Sequence, residues 1–400
     1  MAEILVLASQ IPIPVQATGT SLRLNPLLRH LAEEHEVDLV VFRDDRAERD
    51  ALIDEAMAFC RSVTTLARPR LDGRRRLTRI VSGMIDRDRP PWELLDPFSN
   101  EAVAEVRDLV REGSYDVMFA VNDVWDAMFQ LLVSGDTPPR VVLDWIDSPS
   151  LIHARRSRTR AGVAGWLARR RTRRVRRWQQ RVNARVDAAI YIAASDREHA
   201  GAEGNPRVHV VPNGVLLPDR RVQAKSGGPP TLGFLGNMAY APNELAALRL
   251  HERVFLPMRE RVPELRLKII GRDPGPELRR LASSSVEVTG EVDSIWTHLA
   301  GVDVMVFPME TGGGLQNKLL ESLAADCCVV VTGVGAAGTG ELGAQTLVIE
   351  DTDEGMIEAT TNLLLDAEAR ATARQDGRRL LQAFDWSDIL PRYARIILGP

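Results

Sequence analysis

The sequence predicts an α/β protein built from two doubly wound parallel-sheet domains that face each other across a cleft. Three observations lead there. Short β-branched runs alternate with helix-period segments, a polar stretch rich in Pro and Gly breaks the rhythm near the middle, and a second set of runs then resumes it. With 400 residues, 44% of them hydrophobic, the chain can fill two cores and is longer than one core usually serves.

In the first half the runs are "EILVLAS" from Glu3, "VDLVVF" from Val37, "YDVMFAV" from Tyr115 and "RVVLDWI" from Arg140, with a helical pattern over Leu22 to Glu34 after the first. Such alternation places parallel strands under helices on both faces. After "HVVPNGV" at 209–215 the pattern dissolves into "LLPDRRVQAKSGGPP". This divides the chain into a first domain over 1–215, a linker over 216–230 and a second domain over 231–385. The second domain reads "TLGFLG", "LRLKIIG", "VEVTG", "DVMVFP" and "CVVVTG", each followed by a turn and a helical pattern. The last segment, 386–400, is predicted to cross back onto the first domain. Two such sheets bind ligands at the carboxyl ends of their strands.

Charge and cysteine content narrow the function classes. The net charge of −4 argues against a protein that coats nucleic acid. Cys60, Cys327 and Cys328 offer neither a disulfide framework nor a metal-binding spacing, which fits a reducing cytoplasm. The N-terminal apolar run has no basic region before it and ends at prolines, unlike a signal segment, and no run is long enough to span a bilayer.

The most informative stretch is "ETGGGLQNKLLESLA", Glu310 to Ala324, directly after the strand "DVMVFP". Gly312, Gly313 and Gly314 allow a sharp turn and close approach to a ligand, and the unpaired amides of a helix start favour an anion. Lys318, read as lying one turn into the helix, adds a full positive charge. Glu321, a turn further on, suits two vicinal hydroxyls such as those of a ribose. The combination suits a nucleoside diphosphate. The alternative is a glycine turn that only reverses the chain, with Lys318 and Glu321 on a solvated face.

These residues resemble the retaining glycosyltransferases of family 4, which have two Rossmann-like domains in the arrangement called GT-B. The resemblance is closest to the sugar transferases of exopolysaccharide clusters. Gly314 to Ala324 matches their "GxQNKxLExxA" pattern, and "VVPNGV", "GFLGNMAYAPNELA" and "VVLDWIDSPS" match in the same order. The resemblance implies a nucleotide-sugar donor on the second domain and a glycan, lipid-linked or small-molecule acceptor on the first. It further implies transfer of a hexosyl or N-acetylhexosaminyl unit with retained configuration and no metal or other cofactor. Gly312, Gly313, Gly314, Leu315, Gln316, Asn317 and Lys318 would hold the diphosphate together with Gly236, Asn237 and Arg272, and Glu321 would hold the ribose.

The chain departs from the family pattern at two places. The first glutamate of the family's pair falls on Gly313, and the cations usual after the second domain's first strand are missing from "GFLGNMAYAPNE". Phosphate charge then rests on Lys318 and the helix start. In the first domain Asp147 matches an aspartate that faces the donor sugar, and Ile146 stands where relatives carry a histidine. Asp144 and Asp147 read equally as strand-end caps, and no carboxylate or histidine cluster accompanies them as a metal site would require. Gly19, in "GTSLR", resembles a mobile loop at the phosphates, and an N-cap by Thr20 or Ser21 is the competing reading. Asn213 and Gly214 read as a turn. Domain closure is expected to exclude water and carry Asp147 and Gly19 to the sugar. A weakly catalytic nucleotide-sugar-binding protein and a sugar-nucleotide epimerase remain as alternatives.

From Ser148 to Val186 there is no acidic residue, while arginines crowd from Arg155 to Arg185. Leu167, Val175, Trp178, Val182 and Val186 recur near helical spacing and predict an apolar stripe under a basic face. That face reads either as a solvated helix side or as a contact with anionic membrane on the inner face, and the basic run "RLDGRRRLTR" at 70–79 belongs with it. No nucleic-acid recognition motif accompanies the arginines.

Overall fold

The computed structural model describes residues 1–14, 18–43, 50–67, 100–122, 124–157, 162–215, 217–218, 227–311 and 314–399. The chain forms two compact units, Met1–Asn213 with Ser387–Pro400, and Gly214–Trp386.

The first unit holds a seven-stranded sheet in the order β3-β2-β1-β4-β5-β6-β7. Its strands are β1 (Glu3–Ala8), β2 (Glu36–Arg43), β3 (Ser62–Ala67), β4 (Val117–Val121), β5 (Arg140–Ile146), β6 (Ala188–Tyr191) and β7 (Val208–Val210). Every neighbouring pair is parallel. The residues explain why: β4, "VMFAV", is buried throughout, as a strand covered on both faces requires. Trp145 on β5 packs edge-on against Trp178 at 5.7 Å and stacks with Tyr191 on β6 at 6.4 Å.

Trp178 lies on the arginine-rich helix Gly162–Asn183, which with Val175 and Val182 buries the stripe that the spacing predicts. Leu167 departs from that stripe. It is 43% exposed, whereas Gly165 and Ala168 beside it are buried, so the covered face at the start of the helix does not include position 167. Arg158, Arg160 and the basic run at 70–79 lie outside the described residues.

The second unit holds a six-stranded sheet in the order β10-β9-β8-β11-β12-β13. The strands are β8 (Thr231–Leu235), β9 (Arg266–Ile270), β10 (Val286–Val288), β11 (Val304–Phe307), β12 (Cys328–Val331) and β13 (Val348–Ile349), again all parallel. In each sheet strand order reverses once, between β1 and β4 and between β8 and β11. Loops leaving the two strands at such a reversal diverge to opposite faces and open a crevice at their carboxyl ends. Gly19 follows β1, Gly236 follows β8 and the glycine turn follows β11, so the topology gathers candidate residues at these reversals.

Of the residues at 216–230, Leu216 and 219–226 lie outside the described part. Gly214 has no room for a side chain, since a Cβ there would fall 2.3 Å from the Trp386 ring. The helix Trp386–Leu398 closes the chain, and from Ser387 onward it packs with the first unit.

Candidate functional site

In the second unit the reversal brings Phe234 of β8 and Phe307 of β11 together, with ring centroids 5.6 Å apart. Lys318 sits over both rings, its Nζ 4.9 Å and 5.5 Å from their centroids. The ammonium donates to Asn243 Oδ1 at 2.7 Å and touches Met309 Sδ at 3.3 Å. Lys318 is only 7% exposed and makes no ion pair among the described residues. Burial pushes its pKa down to about 7.

Asn243 ties this cation to the loop after β8, because its Nδ2 donates to the Asn237 carbonyl at 2.8 Å. That loop is built from close backbone contacts. A Cβ on Gly236 would fall 2.9 Å from Asn243 Nδ2, and one on Gly271 would fall 1.8 Å from the Gly236 carbonyl oxygen, where Gly271 also adopts φ +137°. Only glycine fits such approaches. Gly271 bridges in turn to Gly290. Arg272 points outward, its side chain 44% exposed and 3.9 Å from Asp273.

Gly312 and Gly313 lie outside the described residues. Gly314 is buried with φ +74°, and Gly338 packs so closely that a Cβ there would fall 2.2 Å from the Gly314 carbonyl oxygen. The helix begins only at Asn317, with Gln316 extended at its cap and making no side-chain capping bond. This corrects the expected position of Lys318. It stands in the first turn, because the left-handed Gly314 and the extended Gln316 delay the helix. Leu315 is buried beside them. Glu321 follows one turn after Asn317, half-buried, and burial pushes its carboxyl up to about 7. Its carboxylate has no hydrogen-bond or ion-pair partner among the described residues. Glu310 is 68% exposed and lies 3.8 Å from Arg249, which is itself anchored on Asp353 at 2.7 Å.

In the first unit Gly19 opens the helix Gly19–Ala32 and is exposed, with nothing within 4 Å of a Cβ placed on it. The cap is Thr18, whose Oγ1 accepts from the Ser21 amide at 3.0 Å, so neither Thr20 nor Ser21 caps the helix. Thr20 instead accepts from Asn122 Nδ2, at 3.3 Å, at the carboxyl end of β4.

At the end of β5, Ile146 adopts φ +60°, which a β-branched residue takes only under strain. Asp147 follows it, half-buried and without a hydrogen-bond partner among the described residues. Burial first, and then the nearby Asp196, raise its pKa to about 6 against the opposing charges of Arg155 and Arg23. Asp196 is itself buried, with Oδ1 accepting from the Ser148 amide at 2.7 Å.

Asp144 serves otherwise. It is fully buried, pairs with Arg23 Nε at 2.5 Å and accepts from the Tyr393 hydroxyl. Its other oxygen receives the Ile146 amide at 2.9 Å, the strand-end cap. Asn213 is more than a turn residue, since it accepts from Arg23 Nη1 at 3.1 Å.

The sequence reading passed over Asn243, Arg23, Tyr393 and Asp196. Asn243 carried one usable signal, an uncharged polar side chain in the first turn of the helix Ala241–Arg249, directly after the loop at Gly236. Arg23 carried none, because its partners stand 121 and 370 positions away.

The domain family described as "Glycosyl transferase 4-like domain" matches residues 18–214, and the family described as "Glycosyl transferases group 1" matches 229–366. No curated protein matches the chain. Among solved structures, Anabaena HepE in complex with UDP and glucose superposes with a TM-score of 0.66 at 14% identity, covering 100% of both chains. WaaG, a glycosyltransferase involved in lipopolysaccharide biosynthesis, gives 0.63 at 14% identity over 100% of both. An α,α-trehalose-phosphate synthase (UDP-forming) from Burkholderia vietnamiensis gives 0.64 at 12% identity over 99% of both. At these identities the structures speak for the fold, and the two domain matches speak for the lineage. The chain belongs to the glycosyltransferases of GT-B fold.

Proposed function

We propose that the protein transfers a hexosyl or N-acetylhexosaminyl unit from a nucleoside-diphosphate sugar to a hydroxyl or amine, with retained anomeric configuration, as a family 4 enzyme. The observation that carries this reading is Lys318, a buried cation with no ion-pair partner among the described residues, held at the helix start that follows the glycine turn. A diphosphate supplies the missing anion. As the glycosidic bond breaks, charge grows on the departing phosphate, and a cation already in place stabilises that state more than the ground state. Glu321 binds the ribose hydroxyls. Gly236, Asn237, Leu315, Gln316 and Asn317 shape the phosphate loop, and Arg272 swings in from solvent to assist.

The first domain receives the acceptor, a glycan, a lipid-linked intermediate or a small molecule. Asp147 and the Gly19 turn act on the sugar. The acceptor proton passes to the departing phosphate oxygen as the new bond forms on the same face, and no metal or other cofactor takes part. The protein works in the cytoplasm.

No helix among the described residues is long and apolar enough to cross a membrane. The start of the helix Gly162–Asn183 nevertheless exposes Val163 at 77%, Trp166 at 48% and Leu167 at 43% among its arginines. A peripheral contact with anionic lipid on the inner face suits that composition. Co-sedimentation with phosphatidylglycerol vesicles, weakened by Trp166→Ala with Leu167→Ala, tests it; unchanged sedimentation removes it.

The central test is thermal-shift binding of UDP, GDP, TDP and their sugar conjugates to the protein and to Lys318→Ala, followed by transfer assays with the donor that binds. A shift lost in the variant and a product of retained configuration are expected. Binding without transfer across a broad acceptor panel would identify a catalytically weak binding protein, and isomerised donor without acceptor an epimerase.

A further inference from the structure

A second charged site lies on the opposite end of the first sheet. Arg140 opens β5, Arg207 directly precedes β7, and Arg392 and Arg395 come from the helix Trp386–Leu398. Together with His209 and Asp187 they line a cavity of about 610 Å³. This is the amino-terminal edge of the strands. β5 alone, seven residues at roughly 3.3 Å each, separates it by about 20 Å from Asp147.

The four arginines are oriented by backbone carbonyls instead of by acids. Arg140 donates from Nε to Ile397 O and from Nη2 to Ile396 O, each at 2.8 Å. Arg207 donates to Ala184 O at 3.3 Å, Arg395 to Pro391 O at 3.3 Å, and Arg392 to Val210 O. These bonds fix the forks and leave their charge in place. None of the four makes an ion pair among the described residues. Asp187 is the one carboxylate of the lining, and its Oδ2 accepts from the Val141 amide at 2.8 Å. His209 registers the resulting field. Burial first, and then the charges of Arg140 and Arg392, hold its imidazole below the ordinary value.

From this arrangement we infer that the cavity at the amino-terminal edge of β5 to β7 binds a phosphate or pyrophosphate group through Arg140, Arg207, Arg392 and Arg395, apart from the donor site. Arginine forks match phosphate oxygens two at a time, and their charge-assisted bonds are the strong ones. The cavity has room for a group that the phosphate carries, so a soluble phosphorylated metabolite and an anionic lipid headgroup present the same chemistry to it.

Calorimetric titration of inorganic pyrophosphate into the full-length Lys318→Met protein, whose donor loop has lost its cation, isolates this cavity. Binding is expected, and Arg207→Gln with Arg395→Gln in the same background should weaken it by about tenfold or more. Both arginines are exposed, so an unchanged melting temperature without ligand certifies the fold, and the double Lys replacement should retain intermediate affinity. If pyrophosphate does not bind, co-sedimentation with phosphatidylglycerol vesicles that falls in the double Gln variant assigns the cavity to lipid phosphate. If neither pyrophosphate binding nor vesicle binding responds to the double Gln variant, the inference is overturned.

Discussion

The Lys318 ammonium donates to the Asn243 carboxamide oxygen at 2.7 Å, and the nitrogen of the same carboxamide donates to the Asn237 carbonyl at 2.8 Å. One side chain therefore couples the cation after β11 to the loop after β8. It also offers the ammonium a dipole where an acid would have cancelled its charge, so the cation stays available to an anion.

Replacing Asn243 with Ala strips both bonds. The variant is expected to lose about 1–2 kcal/mol of stability, since the buried Lys318 ammonium loses its acceptor and the Asn237 carbonyl keeps only the Tyr240 amide. Nucleoside-diphosphate affinity should fall about tenfold as Lys318 loses its orientation. Urea denaturation and calorimetric titration measure the two effects separately, and an unchanged affinity would show that Lys318 is held by its aromatic neighbours alone.

The pKa values at this site predict opposite pH trends for two variants. Lys318 is held at about 7, below its ordinary 10.5, so between these values the unfolded chain binds more protons and folding stability rises with pH. Against Lys318→Met, the wild type should gain on the order of 3 kcal/mol from pH 7 to pH 10.5. Glu321 is held at about 7, above its ordinary 4.5, so the folded chain binds more protons in that window and stability falls as pH rises. Against Glu321→Gln, the wild type should lose about 1–2 kcal/mol from pH 4.5 to pH 7. Denaturation of the three proteins across pH reads both slopes; parallel curves would mean that neither charge is buried in solution.

Asp147, at about 6 beside the strained Ile146, is expected to give the rate an acid limb near that value if the carboxylate form acts on the sugar. Asp147→Asn should lower kcat by about 100-fold or more and abolish that limb, with KM for the donor little changed. A pH-rate profile of both proteins decides; an acid limb that survives in the variant assigns the titration to another group.

The buried pair of Arg23 and Asp144 makes a prediction about stability alone. Either Arg23→Met or Asp144→Leu leaves an unpaired charge in the core and should cost about 3–5 kcal/mol, while the double replacement should cost markedly less. A double-mutant cycle by chemical denaturation measures the coupling, and additive losses would contradict the pairing.

The sheets were readable because a strand covered on both faces needs an unbroken apolar run, and "VMFAV" and "CVVV" have one. The glycine turn was readable because few other patterns place three glycines before a lysine-bearing helix. Side-chain destinations were less so. Leu167 has the spacing of the buried stripe and is 43% exposed, since spacing reports which face a residue shares and not what covers that face along the helix. The delayed helix start depends on the backbone at Gly314, where glycine permits several conformations.

By itself the amino-acid sequence determined the two α/β domains, the order of their strands along the chain and the lysine placed after a glycine turn, because periodicity and backbone permissiveness are local properties. Only the tertiary structure decided that Lys318 is buried on Asn243, that Asp144 belongs to Arg23 and Tyr393, and that four arginines from three separate segments line one cavity. Those outcomes depend on which strands lie side by side, and a contact between residues far apart in the chain leaves no mark on either residue's neighbours in sequence.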